Sequence, residues 1–389
     1  MVDFGLPVSS EIAASNDPQG PRPFIGSLGD HAYYLARTSA PTESRWWLVG
    51  IDVRNGQRLF PAVELSSAAM SPQCFLNGPT DVLCLSRNSL SATAWVVDAD
   101  SGATTYTGPT DLRAIPGGLV VQQVGSRALA AAGRQGVYGI GHRAETTWFV
   151  PGTGTIAASP PAGSDSMLAA QALPEGERDV TIFSIDGGEV IVPDVATGAR
   201  MERTVLYPGG FAAAVEVDGK DTGVQFFDTS GSHVGGGVDG TPTTDQTGTL
   251  PIVSGFAGGA SSVFSASGRK LLDMPRGVKY LVGSTMLLNE NSSDEFSMWR
   301  QYDLKTGVKG NACDFNMGNF LGTDGSVFVF AVTNRKADVI LKARDSNTCD
   351  TLWTLPSAVD SLARAWRIDT TLVQLSDDGT ELMSLVAPS

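Results

Sequence analysis

One ten-residue segment, IDVRNGQRLF from Ile51 to Phe60, carries the strongest signal for the fold, because it has the pattern of a strand, a tight turn and a second strand. An aspartate such as Asp52 can accept hydrogen bonds from a turn backbone, and Gly56 can adopt a positive φ. Weaker copies follow as VDADSGATTY from Val97, PDVATGARME from Pro193 and YDLKTGVKG from Tyr302. A hairpin repeated along one chain predicts an all-β repeat protein.

The copies recur at a period that suits the blades of a β-propeller. The turn aspartates are Asp52, Asp98, Asp194, Asp228, Asp303 and Asp345. Degenerate copies fill the two longest gaps, as RQGVYGIGHRAETTW from Arg134 and as FSASGRKLL from Phe264, where Ser265 takes the aspartate position. Periods of roughly 40–50 residues with several short strands each are typical of propeller blades. We therefore predict a single β-propeller domain spanning residues 1–389.

The sequence indicates the number of blades and the closure of the ring less directly than it indicates the fold. A strict count of turns allows up to eight or nine units, but the units between Asp194 and Tyr302 are short and irregular, which favours seven blades with eight as the alternative. Two Gly- and Pro-rich stretches, PGTGTIAASPPAGSD from Pro151 and GGGVDGTPTTDQTGTLP from Gly235, are predicted to be long loops. The last unit shows three strands, so residues 1–10 are expected to supply its fourth strand and close the ring.

Composition excludes some classes of partner. The chain has 27 Lys and Arg residues against 41 Asp and Glu residues, a net charge of −14. A basic surface for nucleic acid is therefore missing, and charge would not attract the chain to an anionic membrane. With only 17% charged residues and 45 glycines, the sequence suits short strands and tight turns.

The four cysteines suggest two disulfides. Cys74 and Cys84 flank the turn signal Asn77-Gly78, whereas Cys313 and Cys349 are separated by about one repeat, so neighbouring units could be joined. The alternative is four buried free thiols. If the bridges form, the compartment is oxidising. No stretch is long and apolar enough to span a bilayer, and we expect a periplasmic or cell-envelope protein anchored by an amino-terminal segment that this sequence lacks.

Motifs for catalysis are missing. His31, His142 and His233 lie in different units without metal-ligand spacing, and GxSxG, P-loop and dinucleotide-binding motifs do not occur. We predict no catalytic residues, no metal and no cofactor. The acidic pairs Asp98/Asp100 and Asp218/Asp221 could bind calcium, although the turns themselves explain most of these residues.

Aromatic residues offer the best candidates for a ligand site. The seven tryptophans recur in the strands and are expected to fill the space between blades. Another set is placed on the inner strands, facing the central channel, where apolar rings could hold an acyl chain or stack on a sugar: Phe24, Phe211, Phe256, Tyr280, Phe320 and Trp366. Core packing is the alternative for each of them.

The hairpins LVGIDVRNGQRLF from Leu48 and QYDLKTGVK from Gln301 resemble the PQQ-like propeller repeat of quinoprotein dehydrogenases and of the BamB outer-membrane assembly factor. The metal and cofactor ligands of the quinoproteins match no residues here, so the resemblance does not extend to their activity. A narrower resemblance, over Trp46–Ser86, is to actinobacterial envelope propellers of the mycobacterial polar growth factor (PgfA) family.

Members of that family are membrane-anchored, bind trehalose monomycolate and work with a mycolate exporter of the MmpL class. The resemblance implies a non-catalytic periplasmic propeller that binds this glycolipid and assists its transport for cell-wall assembly and polar growth, with an MmpL-type transporter as partner. Two alternatives remain: a BamB-like scaffold for protein partners without a small ligand, and an enzyme such as a propeller lactonase, which would need a metal held by carboxylates.

Overall fold

The computed structural model describes most of the chain. The described residues are 10–12, 23–39, 44–66, 70–86, 93–115, 119–158, 167–173, 176–244, 250–255, 261–274, 279–282, 285–289, 298–304, 306–315, 317–323, 327–332, 339–356, 364–368, 371–376 and 381–384. Phe256, one of the predicted channel residues, lies outside them.

Within these residues, nine antiparallel sheets follow one another along the chain. The first sheet holds β1 (Ser10–Ile12), β2 (Phe24–Leu28), β3 (His31–Ser39), β4 (Ser44–Asp52), β5 (Gln57–Arg58) and β6 (Val63–Ser66). The second holds β7 (Gln73–Leu76), β8 (Asp81–Leu85), β9 (Thr93–Asp98) and β10 (Thr104–Pro109), and the third holds β11 (Leu119–Val124), β12 (Arg127–Ala132), β13 (Gly136–Ile140) and β14 (Thr146–Pro151).

The next three sheets have the same plan. The fourth holds β15 (Ile156–Ala158), β16 (Leu168–Leu173), β17 (Gly176–Ser184) and β18 (Val190–Ile191). The fifth holds β19 (Arg200–Tyr207), β20 (Gly210–Val217), β21 (Lys220–Asp228) and β22 (His233–Val238). The sixth holds β23 (Thr241–Thr244), β24 (Pro251–Ser254), β25 (Ser261–Phe264) and β26 (Lys270–Met274).

The last three sheets complete the set. The seventh holds β27 (Lys279–Val282), β28 (Thr285–Asn289), β29 (Trp299–Asp303) and β30 (Lys309–Cys313). The eighth holds β31 (Phe320–Thr323), β32 (Val327–Ala331), β33 (Val339–Asp345) and β34 (Thr351–Pro356), and the ninth holds β35 (Arg364–Ile368), β36 (Thr371–Leu375) and β37 (Leu382–Ser384). Among the described residues, two short 3₁₀ helices occur, at Asp111–Ala114 and Met317–Asn319.

The first sheet has six strands but only four strand positions. β4 pairs with β3 along its whole length. On the other edge of β3, β1 lies opposite Ala36–Thr38 and β2 lies opposite His31–Tyr34, so both occupy the first-strand position. β5 and β6 share the fourth position on β4 in the same way.

The core is divided among the spaces between sheets. Each of nine apolar clusters combines side chains from two neighbouring sheets, such as Leu83 of the second sheet with Ala130 of the third. One cluster joins Tyr34 of the first sheet to Ile368 of the ninth. A four-stranded sheet has two apolar faces, and packing on both neighbours covers them. The contacts therefore form a complete cycle, the arrangement of a β-propeller.

The predicted role of the tryptophans is confirmed. All seven lie in or against these clusters: Trp46, Trp47, Trp95, Trp148, Trp299, Trp353 and Trp366. Large rings fill the wedge-shaped space between two twisted sheets efficiently.

The predicted blade count of seven or eight is wrong, since the described chain forms nine sheets. The stretches predicted as long loops contain strands: β15 lies in the first, and β22 and β23 lie in the second. The sixth sheet is complete within Thr241–Met274 because its strands have only four or five residues. These stretches are rich in glycine and proline, and for that reason the sequence predicted loops where short strands are present.

The predicted closure by the amino-terminal strand is not seen. Ser10 pairs with Thr38 in the first sheet. Residues 1–9 lie outside the described part of the chain. The ninth sheet holds three described strands, and no hydrogen-bonded ladder between described residues joins it to the first sheet. Side-chain packing makes that contact instead.

Candidate interaction surface

Two sets of turns lie on one face of the ring. In an antiparallel sheet, the turn between the first and second strands and the turn between the third and fourth strands lie at the same end. The third-to-fourth turns of the first eight sheets are Asp52–Gly56, Asp98–Gly102, Gly141–Glu145, Ser184–Gly188, Asp228–Gly231, Ser265–Gly268, Asp303–Gly307 and Asp345–Cys349. We call the surface formed by both sets the turn face.

The repeated motif makes the predicted turn. Asp52 Oδ1 accepts a hydrogen bond of 2.9 Å from the Arg54 backbone N–H. The Gly56 N–H donates to the Asp52 carbonyl oxygen at 2.9 Å, and Gly56 has a φ of 69°. The degenerate copy forms a similar turn, in which Ser265 Oγ accepts a hydrogen bond of 3.1 Å from the Arg269 backbone N–H.

These hydrogen bonds keep several turn carboxylates ionised. The Ser101 side chain and backbone lower the pKa of Asp98 below its usual value. The Ser230 hydroxyl lowers the pKa of Asp228, and the backbone N–H groups of Thr348 and Asn347 lower that of Asp345. Hydrogen bonds that favour the charged form act in this direction.

Asp194 is the exception among the predicted turn aspartates. It lies in the connection between the fourth and fifth sheets, where its N–H donates to the Gly231 carbonyl oxygen at 2.8 Å. The fourth sheet makes its turn at Ser184 instead, with the Gly188 N–H bonded to the Ser184 carbonyl oxygen at 3.0 Å.

Polar side chains link neighbouring sheets across the turn face. His31 Nδ1 lies 3.5 Å from Asp100 Oδ1, joining the first and second sheets. Asp81 of the second sheet pairs with His142 of the third through Oδ2 and Nδ1.

Arg127 of the third sheet continues this series by donating to Asp186 Oδ1 of the fourth at 2.6 Å. The three pairs are far apart in sequence, so sequence reasoning missed them. They give two of the histidines structural partners, and His233 packs edge-on against Phe227 at a centroid distance of 5.8 Å.

The turn face is acidic. Its described turns carry the carboxylates of Asp30, Asp52, Asp81, Asp98, Asp100, Glu145, Asp186, Glu189, Asp228, Asp303, Asp345 and Asp350. The cationic groups in the same turns and in the strand residues next to them are those of Arg54, Arg127, Arg143, Arg269, Lys270 and Lys309. An excess of negative charge attracts basic groups and repels the phosphates of nucleic acid.

The acidic pairs considered for calcium are used by the turns. Asp98 Oδ1 accepts from Ser101, and Asp221 Oδ1 accepts from the Gly223 N–H at 2.7 Å. Among the described residues, no three side chains of His, Cys, Asp or Glu are grouped so as to hold a metal ion.

The described residues among the predicted channel aromatics lie at three separate places between the sheets. Phe24 and Trp366 are 5.6 Å apart between the first and ninth sheets. Tyr280 and Phe320 belong to the cluster between the seventh and eighth sheets. Phe211 has no exposed surface and stacks on Phe227 at 4.9 Å between the fourth and fifth sheets. The structure does not bring them together in one continuous row, and a ligand site on these residues stays a prediction.

Both predicted disulfides are present. Cys74 and Cys84 lie directly opposite each other on β7 and β8. Cys313 of β30 is bonded to Cys349 in the turn of the eighth sheet, so this bridge joins two neighbouring blades. Disulfides indicate an oxidising compartment, the periplasm or the cell exterior. Among the described residues, no helix has the length and apolar character needed to cross a membrane.

The fold defines the class as a nine-bladed β-propeller. A family described as the conjugation-associated nine-bladed β-propeller domain matches residues 1–388. The chain belongs to this family, and its nine described sheets agree with the family's blade number.

The chain is similar to one relative in sequence and to two solved structures in fold. An uncharacterized protein of Mycolicibacterium smegmatis (strain MKD8) is 37% identical over 407 residues, covering 100% of this chain and 84% of the relative. A crystal structure of a eukaryotic initiation factor aligns with a TM-score of 0.50 and 12% identity, covering 89% of this chain and 90% of that chain. BamB from Moraxella catarrhalis aligns with a TM-score of 0.41 and 14% identity, covering 96% and 94%. The structural likenesses concern the fold alone, and the comparisons give no support to the narrower resemblance to PgfA.

Proposed function

We propose that this propeller is a non-catalytic scaffold that holds protein partners of a conjugation apparatus outside the cytosol. The observation that carries the proposal is membership of the conjugation-associated family over residues 1–388. The two disulfides support an exported location. A ring of mutually packed sheets is rigid, and a rigid surface loses little conformational entropy when a partner binds.

The turn face is the surface that we assign to this role. Its carboxylates are held on tight turns, and the lowered pKa values of Asp98, Asp228 and Asp345 keep their charge over a wide pH range. Charges fixed in this way speed association with an oppositely charged partner and help to select it. The partner surface should therefore be rich in Lys and Arg.

The glycolipid carrier and the MmpL-type partner predicted from the sequence remain predictions with less support. The described aromatic candidates lie in or against clusters between sheets, where they pack on other apolar side chains. Trehalose monomycolate would need an accessible apolar site, and Phe211 offers no exposed surface to it.

Crosslinking in conjugating cells tests the scaffold. A tagged protein should capture the same partner repeatedly, and Asp100→Lys/Asp350→Lys on the turn face should reduce the capture strongly. Asp221→Lys/Asp239→Lys is the matched control, because these exposed carboxylates lie at the opposite end of the strands, Asp221 near the start of β21 and Asp239 between β22 and β23. Raising the ionic strength from about 0.1 to about 0.5 M should weaken the purified complex.

Two outcomes would contradict the proposal. One is capture no greater than that of an unrelated exported protein. The other is a stoichiometric lipid in native mass spectra of the purified protein without any protein partner, which would favour the glycolipid carrier.

A further inference from the structure

The disulfide between Cys313 and Cys349 differs from the other bridge in what it joins. Cys313 ends β30 of the seventh sheet, and Cys349 lies in the third-to-fourth turn of the eighth sheet. Cys74 and Cys84 lie opposite each other on the paired strands β7 and β8, so the backbone ladder holds both of them in place. Opening the Cys313–Cys349 bridge therefore removes a link between two blades, whereas opening the other bridge leaves its strands paired.

The two cysteines of the bridge between blades have different surroundings. Cys349 is partly exposed and lies between the exposed residues Thr348 and Asp350 of the turn. Cys313 is 1% exposed and belongs to the apolar cluster between the seventh and eighth sheets. Access decides which sulfur of a disulfide a thiolate attacks. A thiolate that approaches from solvent therefore meets Cys349 first.

An attack on Cys349 requires Cys313 to leave as a thiolate, and a side-chain amide lies next to the sulfur of Cys313. Gln301 Nε2 lies 3.6 Å from Cys313 Sγ, and the same group donates to the Ser346 carbonyl oxygen of the eighth turn. An amide nitrogen carries two hydrogens, one for each of these acceptors. Apolar surroundings disfavour a thiolate, whereas a nearby N–H donor stabilises it. Gln301 is therefore placed to favour the release of Cys313.

Hydrogen bonds hold the eighth turn close to β30 independently of the bridge. Arg344 Nε donates to the Cys349 carbonyl oxygen at 2.9 Å, and Arg344 Nη1 donates to the Asp314 carbonyl oxygen at 3.1 Å. Asn311 Nδ2 donates to the Asn347 carbonyl oxygen at 2.5 Å. These bonds keep the two thiols near each other when the bridge is open, and a high effective concentration favours its re-formation. The opening is therefore reversible.

We propose that the Cys313–Cys349 bridge is a thiol–disulfide exchange site for an exported protein dithiol of the Cys-x-x-Cys class. A thiolate of the dithiol attacks Cys349 Sγ and forms a mixed disulfide, while the bond between the two sulfurs of the bridge breaks and Cys313 leaves as a thiolate. The second thiol of the dithiol, as its thiolate, then attacks the mixed disulfide, and Cys349 leaves in the same way. The two cysteines take up the two protons of the dithiol, which becomes a disulfide, so electrons and protons balance.

The exchange loosens a defined part of the turn face. Cys349 has a φ of 70°, where a side chain is unfavourable, and without the bridge its sulfur no longer holds it there. Asp345 and Asp350 begin and follow the same turn, so their carboxylates become less fixed. This site goes beyond the proposed scaffold function and does not depend on it.

Limited reduction of the folded full chain tests the site. The protein is treated with dithiothreitol without denaturant, free thiols are blocked with iodoacetamide, and the labelled peptides are identified by mass spectrometry. We expect Cys313 and Cys349 to be labelled at least about tenfold faster than Cys74 and Cys84. With glutathione in place of dithiothreitol, the mixed disulfide should form on Cys349, because a monothiol stays on the sulfur that it attacks.

Two further measurements follow the open state. Hydrogen exchange of the amides of residues 345–350 should become faster after the reduction. Addition of oxidised glutathione after removal of the dithiothreitol should re-form the Cys313–Cys349 bridge and restore the slower exchange.

Gln301→Leu separates the proposed role of the amide from a purely structural one. Loss of the donor should slow the reduction by roughly threefold or more, because Cys313 becomes a poorer leaving group. If Gln301 only stabilised the fold, its loss would loosen the two blades and speed up the reduction. Gln171→Leu is the matched control and should leave the rate unchanged, since Gln171 is equally buried but bonds the Val150 carbonyl oxygen between the third and fourth sheets.

The inference is overturned if neither bridge is reduced without denaturant, or if both are reduced at the same rate. It is also overturned if glutathione is found on Cys313, if Gln301→Leu is reduced as fast as the wild type or faster, or if the amides of residues 345–350 exchange equally in both states. Failure of the bridge to re-form would show that the opening is not reversible and would contradict an exchange site.

Discussion

Cys349 occupies the glycine position of a repeat turn, with a φ of 70°, and its sulfur is bonded to Cys313 on the outer strand of the preceding sheet. A side chain at positive φ is sterically unfavourable, whereas a glycine adopts this conformation freely. The eighth turn thus replaces a permissive residue with a covalent link between blades. The Arg344 side chain supports the turn by donating to the Cys349 carbonyl oxygen from Nε at 2.9 Å.

Removing the Cys313–Cys349 bridge should show both the stabilisation by the covalent link and the cost of the positive φ at Cys349. Cys313→Ser/Cys349→Ser should lower the free energy of unfolding by about 2–4 kcal/mol, because the unfolded chain regains the freedom of the closed loop. Cys313→Ser/Cys349→Gly should recover about 1 kcal/mol of this loss, since glycine accepts the positive φ that a side chain makes unfavourable. Urea unfolding followed by tryptophan fluorescence measures both, and equal stability of the two variants would contradict the role of turn strain.

Gly102 should tolerate alanine less well than other turn glycines. It has a φ of 69°, and a Cβ there would lie 2.4 Å from the ring of Phe60, which fills the space between the first two sheets. Gly219→Ala is the matched control, because Gly219 has a φ of 76° and open space around its Cβ position. Both variants should lose roughly 1–2 kcal/mol from the backbone, and Gly102→Ala should lose more. Equal midpoints in thermal unfolding would show that Phe60 moves aside without cost.

Phe211→Ala should destabilise the protein by about 3–5 kcal/mol, since it removes a fully buried ring that stacks on Phe227. Phe149→Ala is the control, because Phe149 is 45% exposed and its loss leaves no closed cavity. Denaturant unfolding measures the difference. A small loss for Phe211→Ala would argue against its core role and restore it as a candidate for a ligand site.

Acid should weaken the turns of Asp98, Asp228 and Asp345. Their lowered pKa values mean that each carboxylate stabilises the fold above the carboxyl pKa of the unfolded chain, about 4, and loses this contribution as the pH falls through the lowered folded value. The triple Asp→Asn variant keeps an acceptor oxygen in each turn but should show a flatter dependence of stability on pH below about 4. Equal slopes for the wild type and the triple variant would contradict the prediction.

Local patterns allowed accurate prediction where a feature depends on neighbouring residues. The turn at Asp52–Gly56, the strands around it and the Cys74–Cys84 pair all follow from residues within one hairpin. Features that join distant residues could not be predicted. The Arg127–Asp186 pair spans 59 positions, and Ser10 had no local signal that assigned it to the first sheet.

The blade count shows the same limit. Asp194 carries the motif but lies between sheets, while the third turn places Ala144 at a φ of 55° without an aspartate at its start. The aspartate–glycine motif and the turn therefore do not always occur together. A turn needs only a short connection and a residue that tolerates the required φ, and several residue types meet this need.

By itself, the sequence determined the all-β repeat, the turn chemistry, the acidic character and the cysteines available for bridging, because alternation of side chains and turn hydrogen bonds act over a few residues. Only the tertiary structure decided that the described residues form nine sheets and which side chains meet between neighbouring sheets. These features depend on how each sheet packs on its neighbours. The local sequence specifies each sheet only weakly, so the packing is decided by contacts around the whole ring.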